Sequence, residues 1–168
     1  SDLWIRRLGT PKDDLANDLT VDPNGNIHVV GGTWGDFAAT NAGKADMIML
    51  ELTPDGEVIN SRQMGTSSDD SLNAIEIDSD GNVYVAGYTA GIMGTENKGG
   101  FDTVVANYDA SGQREWIRQL GSVNEDVTTA VALAENHVLV TGYTDQENEG
   151  ADFFMITYDR EGNLYDEG

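Results

Sequence analysis

The chain has 168 residues, 39% of them hydrophobic, and carries 30 acidic against 9 basic side chains for a formal net charge of −21. That is enough chain for one domain with its own core. No apolar run approaches the roughly 18 residues that span a bilayer, and so acidic a surface repels nucleic-acid phosphates and anionic lipid headgroups.

Cysteine is absent, and His28 and His137 are the only histidines. This excludes disulfides, thiol catalysis and Cys-ligated zinc, and leaves little for a His-rich metal site or a Ser-His-Asp triad. The charge suits a cation-rich setting, either salt or Ca²⁺, where counterions screen self-repulsion. Ser1 reads as a processed or trimmed start.

The chain opens on W-I-R-R-L-G, Trp4 to Gly9. A polar loop, Thr10 to Asp14, leads to alternating Leu19-Thr20-Val21, a turn at Asp22-Pro23-Asn24-Gly25, and a strand-like run from Ile27 to Gly31. A long loop, Thr33 to Ala45, precedes Asp46 to Leu52 and the turn Pro54-Asp55-Gly56. The opening phrase then returns as N-S-R-Q-M-G (Asn60 to Gly65) and again as W-I-R-Q-L-G (Trp116 to Gly121), at an interval of 56 residues.

The second unit repeats the plan through Ile75-Glu76-Ile77, Asp78-Ser79-Asp80-Gly81, Val83 to Gly87, a loop from Thr89 to Phe101, and Asp102 to Tyr108. The third is shorter, with a reduced turn at Glu135-Asn136 and a loop from Asp145 to Ala151. The tail, Asn163 to Gly168, reaches the position of the repeated phrase without spelling it.

No segment shows a capped helical period. The runs are short, β-branched or aromatic, and bounded by Gly, Asn and Asp, which is the pattern of strands and hairpins. Four strands in about 50 to 56 residues describe a propeller blade. The expected fold is therefore all-β: residues 1–168 form one β-propeller region of three four-stranded antiparallel blades, with repeats at about 4–59, 60–115 and 116–168. Trp4 to Gly9 is a spare strand of the velcro type. Three blades are too few to close a ring. The chain is expected to be either part of a longer propeller or a unit that closes by homo-oligomerisation, with the spare strand covering an open edge.

The acid-ended loops, the Asp-x-x-Gly-Asn turn before an apolar strand, V-Y-V-A-G-Y-T (Val83 to Thr89) and D-T-V-V-A-N-Y-D-A-S-G (Asp102 to Gly112) resemble the bacterial and archaeal seven-bladed β-propeller (SBBP) repeat family. That resemblance covers essentially the whole chain. It implies a propeller, usually within large exported or surface proteins of prokaryotes, with no shared catalytic residues. Departures are Asn60 in the place of Trp, Ala134 in the place of a turn Asp, and the degenerate tail.

Seven positions are identical in all three units: Arg6/Arg62/Arg118, Gly9/Gly65/Gly121, Asp14/Asp70/Asp126, Gly31/Gly87/Gly142, Thr33/Thr89/Thr144, Asp46/Asp102/Asp152 and Gly56/Gly112/Gly162. What every blade keeps serves folding, so function is sought where the units differ. The arginines alternate in phase with Trp4 and Trp116 on an inward face, where each needs an acid. Arg6, Arg62 and Arg118 are expected to pair with the Asp46, Asp102 and Asp152 set or with the Asp14 set.

Asp13-Asp14, Asp69-Asp70 and Glu125-Asp126 offer oxygen ligands from neighbouring loops and are the candidate Ca²⁺ site. The turns Asp22–Asn26 and Asp78–Asn82 resemble calcium loops faintly but place Gly too early and lack the closing Glu, so hairpin turns account for them better. Alternation puts the acidic loops and the long loops on one rim. There Trp34, Phe37, Ile92, Met93 and Phe101 are apolar where loops are ordinarily polar, and are candidate partner contacts. Trp4 and Trp116 are expected in the core between blades. The expected function is a non-enzymatic extracellular binding or assembly module, calcium-stabilised, engaging protein or glycan. The rivals are a carbohydrate-binding propeller and a hydrolase or lyase with a central-channel site.

Overall fold

The alternating runs between glycine turns become strands throughout. The computed structural model describes residues 4–146 and 148–165, and among these there are eleven strands and no helix. The first sheet contains β1 (Asp14–Val21), β2 (Ile27–Thr33), β3 (Asp46–Leu52) and β4 (Val58–Met64) in that order. The second contains β5 (Asp70–Ile77), β6 (Val83–Thr89), β7 (Asp102–Tyr108) and β8 (Arg114–Leu120). The third holds β9 (Glu125–Ala134), β10 (His137–Gln146) and β11 (Gly150–Asp159). All pairings are antiparallel, and each sheet is a blade.

The sheets are offset from the sequence repeat. The phrase that opens the second unit is β4, the last strand of the first blade, and W-I-R-Q-L-G falls in β8. The β3–β4 and β7–β8 turns carry Gly56 and Gly112 at φ 81° and 83°, and Gly162 repeats this at 80° after β11. Such a conformation strains any residue with a Cβ.

The first strand of each blade is the innermost. β1 contacts β5, and β5 contacts β9. Each of these strands bulges near its start in β1 and β5, where a Cβ on Gly31 or Gly87 would collide with the carbonyl of Leu15 or Ser71. The bulge turns Asn17 and Asn73 sideways. Asn17 Nδ2 donates to Leu72 O at 2.8 Å and Asn73 Nδ2 to Thr128 O at 2.9 Å, tying each inner strand to the next blade.

Two apolar seams hold the stack. Val30 and Met47 of the first blade pack with Leu72, Ile75, Val85, Val104 and Tyr108 of the second. Ala74, Tyr84, Val105 and Trp116 of the second pack with Val131, Val138, Val140 and Tyr158 of the third.

Among the described residues the third sheet has three strands rather than the expected four, and residues 4–10 join no ladder of their own chain. The tail does enter the fourth-strand position, since Tyr158 bridges Leu164 and Tyr165 N donates to Thr157 O. Residues 166–168, the rest of that expected strand, lie outside the described residues, as does Ser1.

Candidate functional site

The repeated acids are loop fasteners. Asp14 accepts hydrogen bonds from the Thr10 amide and hydroxyl and from Thr33 Oγ1. Asp70 does the same with Thr66 and Thr89, and Asp126 with Ser122 and Thr144. This explains why the threonine after β-strand glycine is kept in every blade. Burial pulls the Asp14 carboxyl upward, but the hydrogen bonds outweigh it and hold the group below its ordinary range. Asp70 is more deeply buried, so desolvation wins, helped by the Asp46 charge, and its carboxyl is pushed up.

These acids do not gather as the candidate calcium site requires. Asp69 meets Lys44 at 3.2 Å, while Asp13 and Glu125 are exposed. Among the described residues, the group of three close enough to share an ion is Asp22, His28 and Glu51, none of them from that set.

The expected Arg–Asp pairs are also corrected. Period-2 alternation puts Asp46 on the face of Ile48, whose ladder partner is Gln63, whereas Arg62 faces the other way. Gln63 therefore takes the acid: its Nε2 donates to Asp46 Oδ2 at 2.8 Å and to Gly35 O at 2.9 Å, and its Oε1 accepts from Phe37 N at 2.7 Å. Gln119 repeats this with Asp102, Gly91 O and Met93 N. Asp152 is exposed and accepts from Gln146. The glutamines fix the long loops, a role hinted at in the sequence only by their recurrence beside Arg62 and Arg118.

Each arginine instead reaches the next glycine turn along the chain. Arg118 Nε donates to Gly162 O at 2.6 Å, Arg6 pairs with Glu57, and Arg62 lies against Gly112 with its guanidinium 5.2 Å from the Tyr108 ring. Trp116 and Trp4 work alongside them. Trp116 Nε1 donates to Arg160 O at 2.8 Å, and Trp4 Nε1 to Pro54 O at 3.1 Å.

Of the loop apolar residues, Met93 packs against the first seam, Phe101 stacks at 4.5 Å on Tyr88, and Trp34 and Phe37 are half-buried. Ile92 is 66% exposed and is the one that presents an open surface. The shared rim is as expected, because Asp70 N donates to Ala45 O and Asp126 N to Phe101 O.

The two ends of the stack are apolar. On the first blade Trp4, Leu8, Leu15, Leu19 and Val21 are exposed around one groove. Leu19 is 61% exposed, whereas Ile75, its counterpart in the second blade, is 4% exposed in a seam. On the third blade Met155 is 70% exposed, whereas its counterpart Val105 is fully buried. Phe153 stands opposite Tyr143 on the same strands, and both are exposed.

The seams differ in one place. In the second, Trp116 sits between Tyr84 and Tyr158, with Arg160 over Tyr84. Burial pushes the Tyr158 hydroxyl up to about 12, against the pull of Arg118. In the first seam these stations hold Asn60, His28, Tyr108 and Ala110. A crevice of about 300 Å³ opens there, lined by Asp22, His28, Glu51, Asn60, Arg62 and Tyr108, among others. Burial raises the Asp22 carboxyl, but the Asn26 and Asn24 amides and the His28 ring outweigh it and hold it below its ordinary value.

A beta-propeller repeat family model, SBBP, matches residues 3–38 and 59–92. The chain is also 30% identical over 109 residues to the "Regulatory protein FlaEY" of Caulobacter vibrioides; the match covers 60% of this chain and 11% of that protein. The matched stretch thus spans about a tenth of the length of that relative.

Proposed function

We propose that this chain, which carries SBBP beta-propeller repeats, is a non-enzymatic assembly module whose two end faces receive further propeller blades. The observation that carries the reading is the pair of exposed apolar faces: Leu19 and Met155 lie open at positions whose counterparts, Ile75 and Val105, are buried between blades. Contiguous exposed apolar surface marks an interaction site, and the internal seams display what covers such a face in this fold. Likeness to a regulatory protein agrees with a role in protein interaction.

Assembled blades would present a rim of acidic loops and long loops, with Ile92 outermost, to a protein or glycan partner. The acidic surface and the exported setting usual for such repeats favour the outside of a prokaryotic cell. Light scattering on the chain across a range of concentrations tests the reading. Association is expected, and Leu19→Glu or Phe153→Glu should abolish it. A chain that stays monomeric at high concentration and does not bind added blades of the same repeat would sink the proposal.

A further inference from the structure

The repeat supplies its own control for the crevice in the first seam. Asp22, His28 and Glu51 correspond to Asp78, Tyr84 and Asn107 in the second blade and to Ala134, Leu139 and Thr157 in the third. The trio occurs once. His28 and Glu51 face each other in the β2–β3 ladder, and Asp22 opens the hairpin that precedes them. Their ligand atoms all lie within 4.8 Å of one another, and His28 Nε2 is 3.3 Å from Asp22 Oδ2.

The charge around the trio is unbalanced. In the second seam Asp78 faces Arg160, with 3.9 Å between Oδ2 and Nη1. Ala110 holds the place of that arginine in the first seam. Among the described residues no Lys or Arg forms a salt bridge with Asp22 or Glu51. Arg62 shares the crevice but lies over Tyr108. Two partly buried carboxylates beside an imidazole, without a basic partner, make a strong cation acceptor. Loss of the Trp116, Tyr84 and Arg160 side chains from the corresponding stations leaves the room.

We propose that the first seam binds a divalent transition-metal ion of the zinc class through one nitrogen of His28 and one carboxylate oxygen each of Asp22 and Glu51. The mixed nitrogen and oxygen donor set suits zinc rather than calcium, which prefers six or more oxygens. Donors about 2.1 Å from a tetrahedral zinc stand roughly 3.4 Å apart, so small side-chain rotations close the set. The fourth position faces the crevice and takes water or a ligand donor from solvent. Asn26, whose Nδ2 donates to Asp22 Oδ2 at 3.3 Å and to Glu51 Oε1 at 3.1 Å, orients both carboxylates.

The test is calorimetric titration of the chelator-treated full chain with zinc chloride, followed by cobalt(II) absorption. A single ion per chain and a tetrahedral cobalt band are expected. His28→Ala and Glu51→Gln should each weaken zinc by more than roughly tenfold, and His137→Ala should leave it unchanged. Ala110→Arg touches no ligand and restores the missing cation, so it should compete with the metal and lower affinity; it decides the matter even if a ligand variant fails to fold. Absence of saturable zinc binding, or equal binding by His28→Ala and His137→Ala, would overturn the site.

Discussion

Where the second blade meets the third, Trp116 stands 6.3 Å from Tyr84 and 6.0 Å from Tyr158, and Arg160 lies 5.1 Å above the Tyr84 ring. Where the first meets the second, the same stations hold Asn60, His28, Tyr108 and Ala110, and four of the five methionines (Met47, Met49, Met64 and Met93) belong to or pack against the apolar cluster of that seam. One seam is closed by rigid rings of fixed geometry. The other is filled by flexible thioethers that adapt to irregular space, and it keeps a crevice. The blades on either side share their ladder, their glycine turns and their acid–threonine fasteners. A repeat can therefore hold its fold constant while the residues between blades take on separate tasks.

The largest expected contrast breaks the closed seam. Trp116→Ala should cost about 3–5 kcal/mol, as for a buried aromatic, whereas Asn60→Ala, at an exposed position, should stay within about 0.5 kcal/mol. Urea denaturation measures both, and equal losses would erase the distinction between the seams.

The glutamine fasteners should not share this asymmetry. Gln63→Leu and Gln119→Leu each remove the donor to a buried aspartate and the acceptor for two or more loop amides. Each should cost about 1–3 kcal/mol, with faster hydrogen exchange at Phe37–Ala39 and at Met93–Gly94 respectively. A loss confined to one of them would show that the loops, too, are specialised.

Rebuilding the missing ring sharpens the comparison from the other side. Asn60→Trp should stabilise the chain by about 1 kcal/mol through aromatic contact with Tyr108, seen as a rise in Tm. A fall in Tm would mean that the first seam has lost the space for a ring.

The smallest effect lies in the pH profile. The Asp14 carboxyl is held below its unfolded value of 3.8, so its contribution is present above about pH 4 and is lost as pH falls through the folded value. Burial pushes Asp70 above 3.8, so its contribution is full at low pH and is lost as pH rises through the raised value. Relative to the wild type, Asp14→Asn should lose stability as pH climbs from about 3 to 5, while Asp70→Asn should gain. Parallel profiles would show that the two fasteners experience the same surroundings.

The blade fold was legible because the 56-residue period brings Asp-x-x-Gly turns and β-branched runs back in step, and local chemistry suffices to read such features. The partner of the arginine was not. Phase along a strand places Arg62 on a face but does not say which neighbour lies across it, and the alternation that assigns Asp46 to Gln63 needs the β3–β4 register. Asn60 was visible as a departure from Trp. Its consequence required knowing that Trp116 fills a space between blades, which no reading of one blade supplies. The Asp22–His28–Glu51 trio was hidden for a like reason, since Glu51 joins His28 through the ladder across 22 intervening positions.

The contacts of Trp4, Arg118 and Trp116 all point forward along the chain, from the repeated phrase to a glycine turn some 44 to 50 residues later. A ribosome releases the anchor before it releases the socket. Each repeated phrase thus waits, exposed, until its successor has been made, and the turn that completes it also begins the next strand of the same kind. The stability of each blade is thereby tied to its neighbour, as the nearest-neighbour energetics of repeat proteins require.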